Sequence, residues 1–176
     1  MNTHALLLPL LDNGLSALAA QLGKAAAFVR DGGIDEAALV GARLAPDMFP
    51  LADQVRFTCH QADEAVTRLT GGDAAPPAPA EASLTGLAGQ IAATRARVAS
   101  ADPVAIDADP EGPIMLTLPN DLVFDLTRAT YVRDWVLPQF AFHSVAAYAI
   151  LRHVGVPIGK PDFVPHMHAY LRAPAG

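Results

Sequence analysis

The feature that most constrains this chain is the cutting of long stretches with helical period into separate blocks by glycine and proline. Leu7, Leu11, Leu15, Leu18, Leu22 and Ala26 recur at steps of three and four, which lines them along one face of a helix over about Leu6–Arg30. Asp31-Gly32-Gly33 stops it. Ile34–Leu44 is rich in Ala and Leu, with Asp35 and Glu36 at its start, and predicts a short helix ended by Ala45-Pro46-Asp47. A second long helix is predicted from Met48 or Pro50 to Leu69, with Asp47 as its N-cap and Gly71-Gly72 as its stop. The Pro-rich stretch Gly71–Glu81 reads as a surface loop. Ser83 then caps a helix through Leu84, Leu87, Ile91 and Val98 that runs to Asp102-Pro103.

Beyond Gly112 the pattern changes. Ile114–Leu118 and Leu122–Leu126 are short apolar runs around Pro119-Asn120-Asp121 and predict a β-hairpin. Such a hairpin must lie against the helices to persist. Thr127, a cap, opens the longest helix, which runs to His153 and stops at Gly155. The expectation is an all-α, up-and-down four-helix bundle with an extra short helix and a small hairpin before the last helix. It forms one domain over residues 1–163, followed by a Pro-punctuated tail over 164–176.

Charge narrows the partners. Twelve basic and eighteen acidic residues are interspersed and leave a net charge of −6, which argues against a nucleic-acid ligand. The longest uncharged run, between Asp134 and Arg152, contains Pro138, Gln139 and His143 and is too short to span a membrane. The apolar start Ala5–Leu11 lacks a preceding Lys or Arg and is interrupted by Asp12, so it reads as helix rather than as a secretory signal. A single cysteine, Cys59, fits a reducing, cytoplasmic setting.

The segment Ala42-Arg43-Leu44-Ala45-Pro46-Asp47-Met48-Phe49-Pro50-Leu51, followed by Gln54-Val55, resembles the signature of an uncharacterised bacterial family in the DinB-like (YfiT-like) superfamily. Leu137–His143, Ala147–Val156 and Ile158–Phe163 agree with it, so the resemblance covers most of Gly41–Phe163. It implies a four-helix bundle. For the superfamily it also implies a divalent metal held by one histidine of the second helix and two histidines four residues apart on the last, with some members acting on small thiol conjugates.

This sequence departs from that ligand pattern. His60 and His143 fall on the second and last long helices, but Gln139 and Ala147 stand four residues either side of His143. His153 lies ten residues on, about 15 Å along the axis and roughly 80° around it, too far to share an ion with bonds of about 2 Å. His60 sits among Asp53, Arg56, Asp63 and Glu64, a set that also describes a solvated helix face. His143 lies among Phe140, Phe142, Val145 and Tyr148, where a hydrogen-bonded core histidine is the simpler reading. A pocket reading groups Gln139, His143 and Tyr148, faced by Asp53 or His60.

Cys59 reads as a buried, inert thiol. His166-Met167-His168 could chelate a metal only if extended. Pro46–Pro50 reads as a structural junction.

Two readings remain. In the first, the chain is a small-ligand-binding or structural protein that keeps the bundle without the three-histidine site, and holds no cofactor. In the second, it is a divalent-metal-dependent transferase or hydrolase (Zn, Ni or Fe) with a degenerate site built on His60 and His143. The abundance of Ala, Leu and Phe makes a homodimer the expected partner state in either case.

Overall fold

The structure is a computed structural model and describes residues 2–172. Helix α1 (Thr3–Arg30) is followed by the short α2 (Glu36–Val40), then α3 (Leu51–Leu69), α4 (Leu84–Ala99) and the one-turn α5 (Pro103–Asp107). Strands β1 (Pro113–Thr117) and β2 (Val123–Thr127) pair antiparallel, Ile114 opposite Leu126 and Leu116 opposite Phe124. The last long helix is composite: α6 (Arg128–Thr130), a π-helical stretch Tyr131–Val136, and α7 (Leu137–His153). The short α8 (Lys160–Phe163) and a 3-10 turn Pro165–Tyr170 close the described chain.

The helical stripe does what its spacing demands. Leu7, Leu11, Leu15, Leu18 and Leu22 are all at most 2% exposed, and the stripe closes on Ala25 rather than on Ala26. Leu87, Ile91 and Val98 of α4 meet it in the core. Helix α1 is the one helix among the described residues long and apolar enough to cross a membrane, and this leucine face is spent on the bundle core. Ser83 caps α4 by accepting from the Gly86 amide at 3.1 Å. Thr127 and Thr130 form a reciprocal capping box at the start of the last helix.

Three expectations need correction. Asp47 is no cap, because Pro50 disfavours helical conformation at Phe49 and is itself extended, so that α3 begins at Leu51 with Pro50 as its N-cap. The predicted Ile34–Leu44 helix forms only over Glu36–Val40, capped by Asp35 through the Ala38 amide. Asp102-Pro103 does stop α4, but Asp102 also caps a new turn, α5, in which proline fits the first position.

The four long helices run up, down, down, up. Asp12 pairs with Arg95, and His4 with Asp107 just beyond α4, so α1 and α4 are antiparallel. Gly14 meets Phe140 and Phe28 approaches Gly155, so α1 and the last helix are parallel. Asp63 bonds Thr94 and Arg97, while the Arg128 guanidinium donates to the carbonyls of both Leu69 and Ala105, joining the C-terminal end of α3 to α5, the turn just beyond α4. Helices α3 and α4 therefore run side by side in the same sense. Their connection must return along the whole of α3, whose 19 residues rise about 28 Å. The fourteen residues between Leu69 and Leu84 reach about 46 Å when extended, which suffices.

The alternating hairpin buries Ile114 and Leu116 and exposes Pro113, Met115 and Thr117. After α7 the chain turns back onto α1: Lys24 pairs with Asp162 at 2.6 Å and the Gln21 amide donates to the Asp162 carbonyl at 3.0 Å.

Leu15 is fully buried and Leu6, on the same helix, is 46% exposed. Urea denaturation should show a loss of about 2–5 kcal/mol for Leu15→Ala, and under about 1 kcal/mol for Leu6→Ala.

Candidate functional site

Along α3 the residues Gln54, Phe57, Gln61, Glu64 and Arg68 follow one another at steps of three and four, so they form a single seam. Leu51, Val55, Cys59, Ala62 and Ala65 carry the apolar face beside it. The seam is polar yet enclosed: Gln54, Gln61 and Glu64 are 1%, 6% and 7% exposed. The last helix, the hairpin and the returning Pro-rich segment are what enclose it.

At one end of the seam lies His143. Its Nδ1 donates to Gln54 Oε1 at 2.9 Å, while the Gln54 amide nitrogen donates to the Phe49 carbonyl at 3.1 Å. That relay puts a hydrogen on Nδ1. The ring stacks on Phe57 with centroids 5.0 Å apart and meets the edge of Phe142 at 5.2 Å. Burial, reinforced by the charges of Arg56 and His60, pulls its pKa down to about 4. His143 is thus a hydrogen-bonded core histidine.

Asp53 is engaged in holding Arg56, with the carboxylate 2.8 Å from the guanidinium. Arg56 lies 4.1 Å above the Phe57 ring and reaches the Ala78 carbonyl of the Pro-rich segment at 3.4 Å. His60 stands farther along α3, 3.9 Å from Glu64, and burial lowers its pKa despite the opposing pull of Glu64 and Asp63. Glu64 is paired to Arg68 at 2.9 Å, and Asp63 to Arg97. Gln139 is half-buried on α7 and makes no hydrogen bond among the described residues. Tyr148 packs edge-on against Phe163, 5.5 Å between centroids, on the side of the C-terminal segment. The structure thus brings His143, Asp53 and His60 to one stretch of α3 and places Tyr148 elsewhere.

The segment Ala74–Ala78 lies over this face and divides the space beneath it into two lobes that share His60 and Glu64. One lobe, about 310 Å³, opens over α4 between Asp63, Gln90 and Arg97. The other, about 400 Å³, is walled by Phe57, Gln61, Arg68, the hairpin turn Leu116–Pro119 and Trp135. Both volumes suit a small molecule. In the larger lobe two wall residues keep buried polar atoms without a partner, Gln61 Oε1 and Trp135 Nε1; in the smaller, Gln90 Oε1 does so. Native structures pair nearly all such atoms.

Trp135, Gln61 and Arg68 escape a sequence search for metal ligands because none is a strong ligand type. The seam at three-four spacing was the available signal. Trp135 gave none, since it sits in the π-helical stretch, where one residue more per turn shifts the face presented.

The donor set does not fit a three-histidine ion site. Gln139 and Ala147 stand at the two positions four residues from His143 where a second histidine of the last helix would be needed. No three His, Cys, Asp or Glu side chains among the described residues are grouped to hold an ion. His166 and His168 lie in a 3-10 turn, so alternate residues point apart, and His168 Nδ1 is bonded to the Pro165 carbonyl. Cys59 is buried, and its thiol is pushed up to about 12 by that burial, which makes it inert at neutral pH.

The profile of the family described as "Domain of unknown function (DUF1993)" matches residues 3–164. A crystal structure of a DinB family member protein from Shewanella denitrificans superposes with a TM-score of 0.81 at 29% identity, covering 98% of this chain and 94% of that one. No curated protein matches the chain.

A histidine whose folded pKa lies below its unfolded value of 6.5 binds fewer protons folded than unfolded between the two, so the fold loses stability as pH falls through that window. From pH 6.5 to pH 4, His143 should account for a loss of up to about 3 kcal/mol. The difference in urea stability between the parent and His143→Gln should show this slope, and proton NMR should find the His143 ring unprotonated above pH 5.

Proposed function

The chain belongs to the DUF1993 family within the DinB-like bundles, and on that premise we propose that it is a small-ligand-binding protein that works without a divalent ion. The ligand sits in the larger lobe beside His60. The observation that carries this reading is that two residues lining a formed 400 Å³ cleft, Gln61 and Trp135, each keep a buried polar atom without a partner, Oε1 and Nε1. An acceptor and a donor left unsatisfied in a core cost about 1–3 kcal/mol each, a cost a bound molecule removes by supplying one donor and one acceptor.

The charges of the cleft are already paired, Glu64 to Arg68 and Asp63 to Arg97. Lowering of the His60 pKa favours its neutral form. A neutral ligand therefore fits better than an ion, and the Phe57 and Trp135 rings suit a flat one. An uncharged aromatic amide has this chemistry. A lone buried thiol supports a reducing, cytoplasmic compartment in this proposal.

Trp135 is the chain's one tryptophan, so its fluorescence reports on the cleft directly. Titration with nicotinamide and larger aromatic carboxamides should give a saturable change with at least one of them. Gln61→Leu should weaken that binding about ten-fold while raising the melting temperature of the unliganded protein, because it removes an unsatisfied acceptor. Elemental analysis after incubation with Zn, Ni or Fe should find no stoichiometric ion in a His166→Ala, His168→Ala background. One ion per chain that disappears in His143→Ala would overturn the proposal in favour of a divalent-metal-dependent transferase or hydrolase.

A further inference from the structure

On the α1 side of the last helix lies a separate cavity. Gly14 lets Phe140 rest directly against α1, where a Cβ would meet the ring at 2.6 Å. The docking of α8 onto Gln21 and Lys24 then brings the turn Pro165–Tyr170 alongside. Between them is a groove of about 570 Å³ walled by Leu6, Leu10, Phe140, Phe163, Met167 and Tyr170. Leu6, Leu10, Met167 and Tyr170 are 46%, 38%, 53% and 78% exposed, a run of apolar surface that water covers at a cost.

The polar content of this groove is specific. No Asp, Glu, Lys or Arg lines it among the described residues. Gln21, 1% exposed, is among its wall residues; its nitrogen is fixed as donor to the Asp162 carbonyl, so its Oε1 is an acceptor, and that oxygen has no partner. His166, also in the wall, has an unpartnered Nδ1.

We propose that this groove is a second binding site, taking a neutral amphiphile whose apolar chain or ring lies along Leu6, Leu10, Phe140 and Met167 and whose hydroxyl or N–H donates to Gln21 Oε1. An ionised fatty carboxylate has no proton to donate to that oxygen and meets no lysine or arginine, so the site selects an alcohol over the acid of the same length. The proposal is independent of the cleft beside His60.

The test uses N-phenyl-1-naphthylamine, a neutral apolar dye with one N–H, on the full chain. Saturable one-to-one fluorescence enhancement is expected, reversed by decan-1-ol and not by decanoate at pH 8. Leu10→Glu, a change at a partly exposed position, should abolish the enhancement with the circular dichroism unchanged. Gln21→Leu should weaken dye and alcohol about five- to ten-fold and erase the preference for alcohol over acid, and Gln61→Leu should leave all of this as it was. Equal displacement by decanoate would overturn the proposal, as would dye binding that survives Leu10→Glu. A chain that light scattering shows to be dimeric, that binds no dye and that becomes monomeric with Leu10→Glu would assign the groove to a second copy instead.

Discussion

Helices α3 and α4 lie side by side in the same sense, and much of what is distinctive in this protein follows from that. A short turn can join only antiparallel neighbours, so the chain leaving Leu69 must travel back along α3 before α4 can begin. A helix could have made the return. Proline at 76, 77 and 79 forbids one and gives an extended strap instead. The strap cannot bury its backbone polar groups against an apolar helix face, since they need partners. The α3 face beneath it is accordingly polar, with Arg56 supplying a donor to the Ala78 carbonyl. The cleft is the space left between strap and helix.

The bundle was legible because its signals are local. The Leu7 to Leu22 stripe, the Ser83 and Thr127 caps and the two apolar runs of the hairpin each depend on residues within a turn or two of one another. The Asp47 cap misled because two local rules competed, and the exclusion of Phe49 from the helix by Pro50 prevailed over the preference for a capping aspartate. Helix order around the bundle was not legible, since nothing in the strap says which way the next helix points. The polar seam of α3 was readable in principle. His60, Asp63 and Glu64 look like a solvated face until the strap and hairpin are laid over them, and burial is a tertiary fact that α3 alone does not contain.

His143 shows how the fold accommodates a buried imidazole. An imidazole in this apolar stretch must keep both nitrogens from costing the fold. Gln54 takes the proton of one, and the Gln54 amide is itself fixed by the Phe49 carbonyl just before Pro50. The junction Pro46–Pro50 is thereby tied to the last helix by two hydrogen bonds through α3.

Most of the unpartnered polar atoms among the described residues belong to cavity-lining side chains. Gln61 and Trp135 belong to the larger lobe of the cleft, Gln90 to the smaller, and Gln21 and His166 to the groove, while Arg128 Nε and Tyr131 OH line none of the three. Had Gln61 served stability only, leucine there would bury as well and leave no acceptor unsatisfied, whereas Gln21 also supplies the donor for the Asp162 carbonyl. Glutamine at both places puts unsatisfied hydrogen-bonding capacity just beneath a concave surface. The last helix stands between the two sites, giving Trp135 to one and Phe140 to the other. The π-helical turn just before Leu137 sets the rotation between those two rings, so an α-helical repair of that turn would misplace one wall while leaving the other intact.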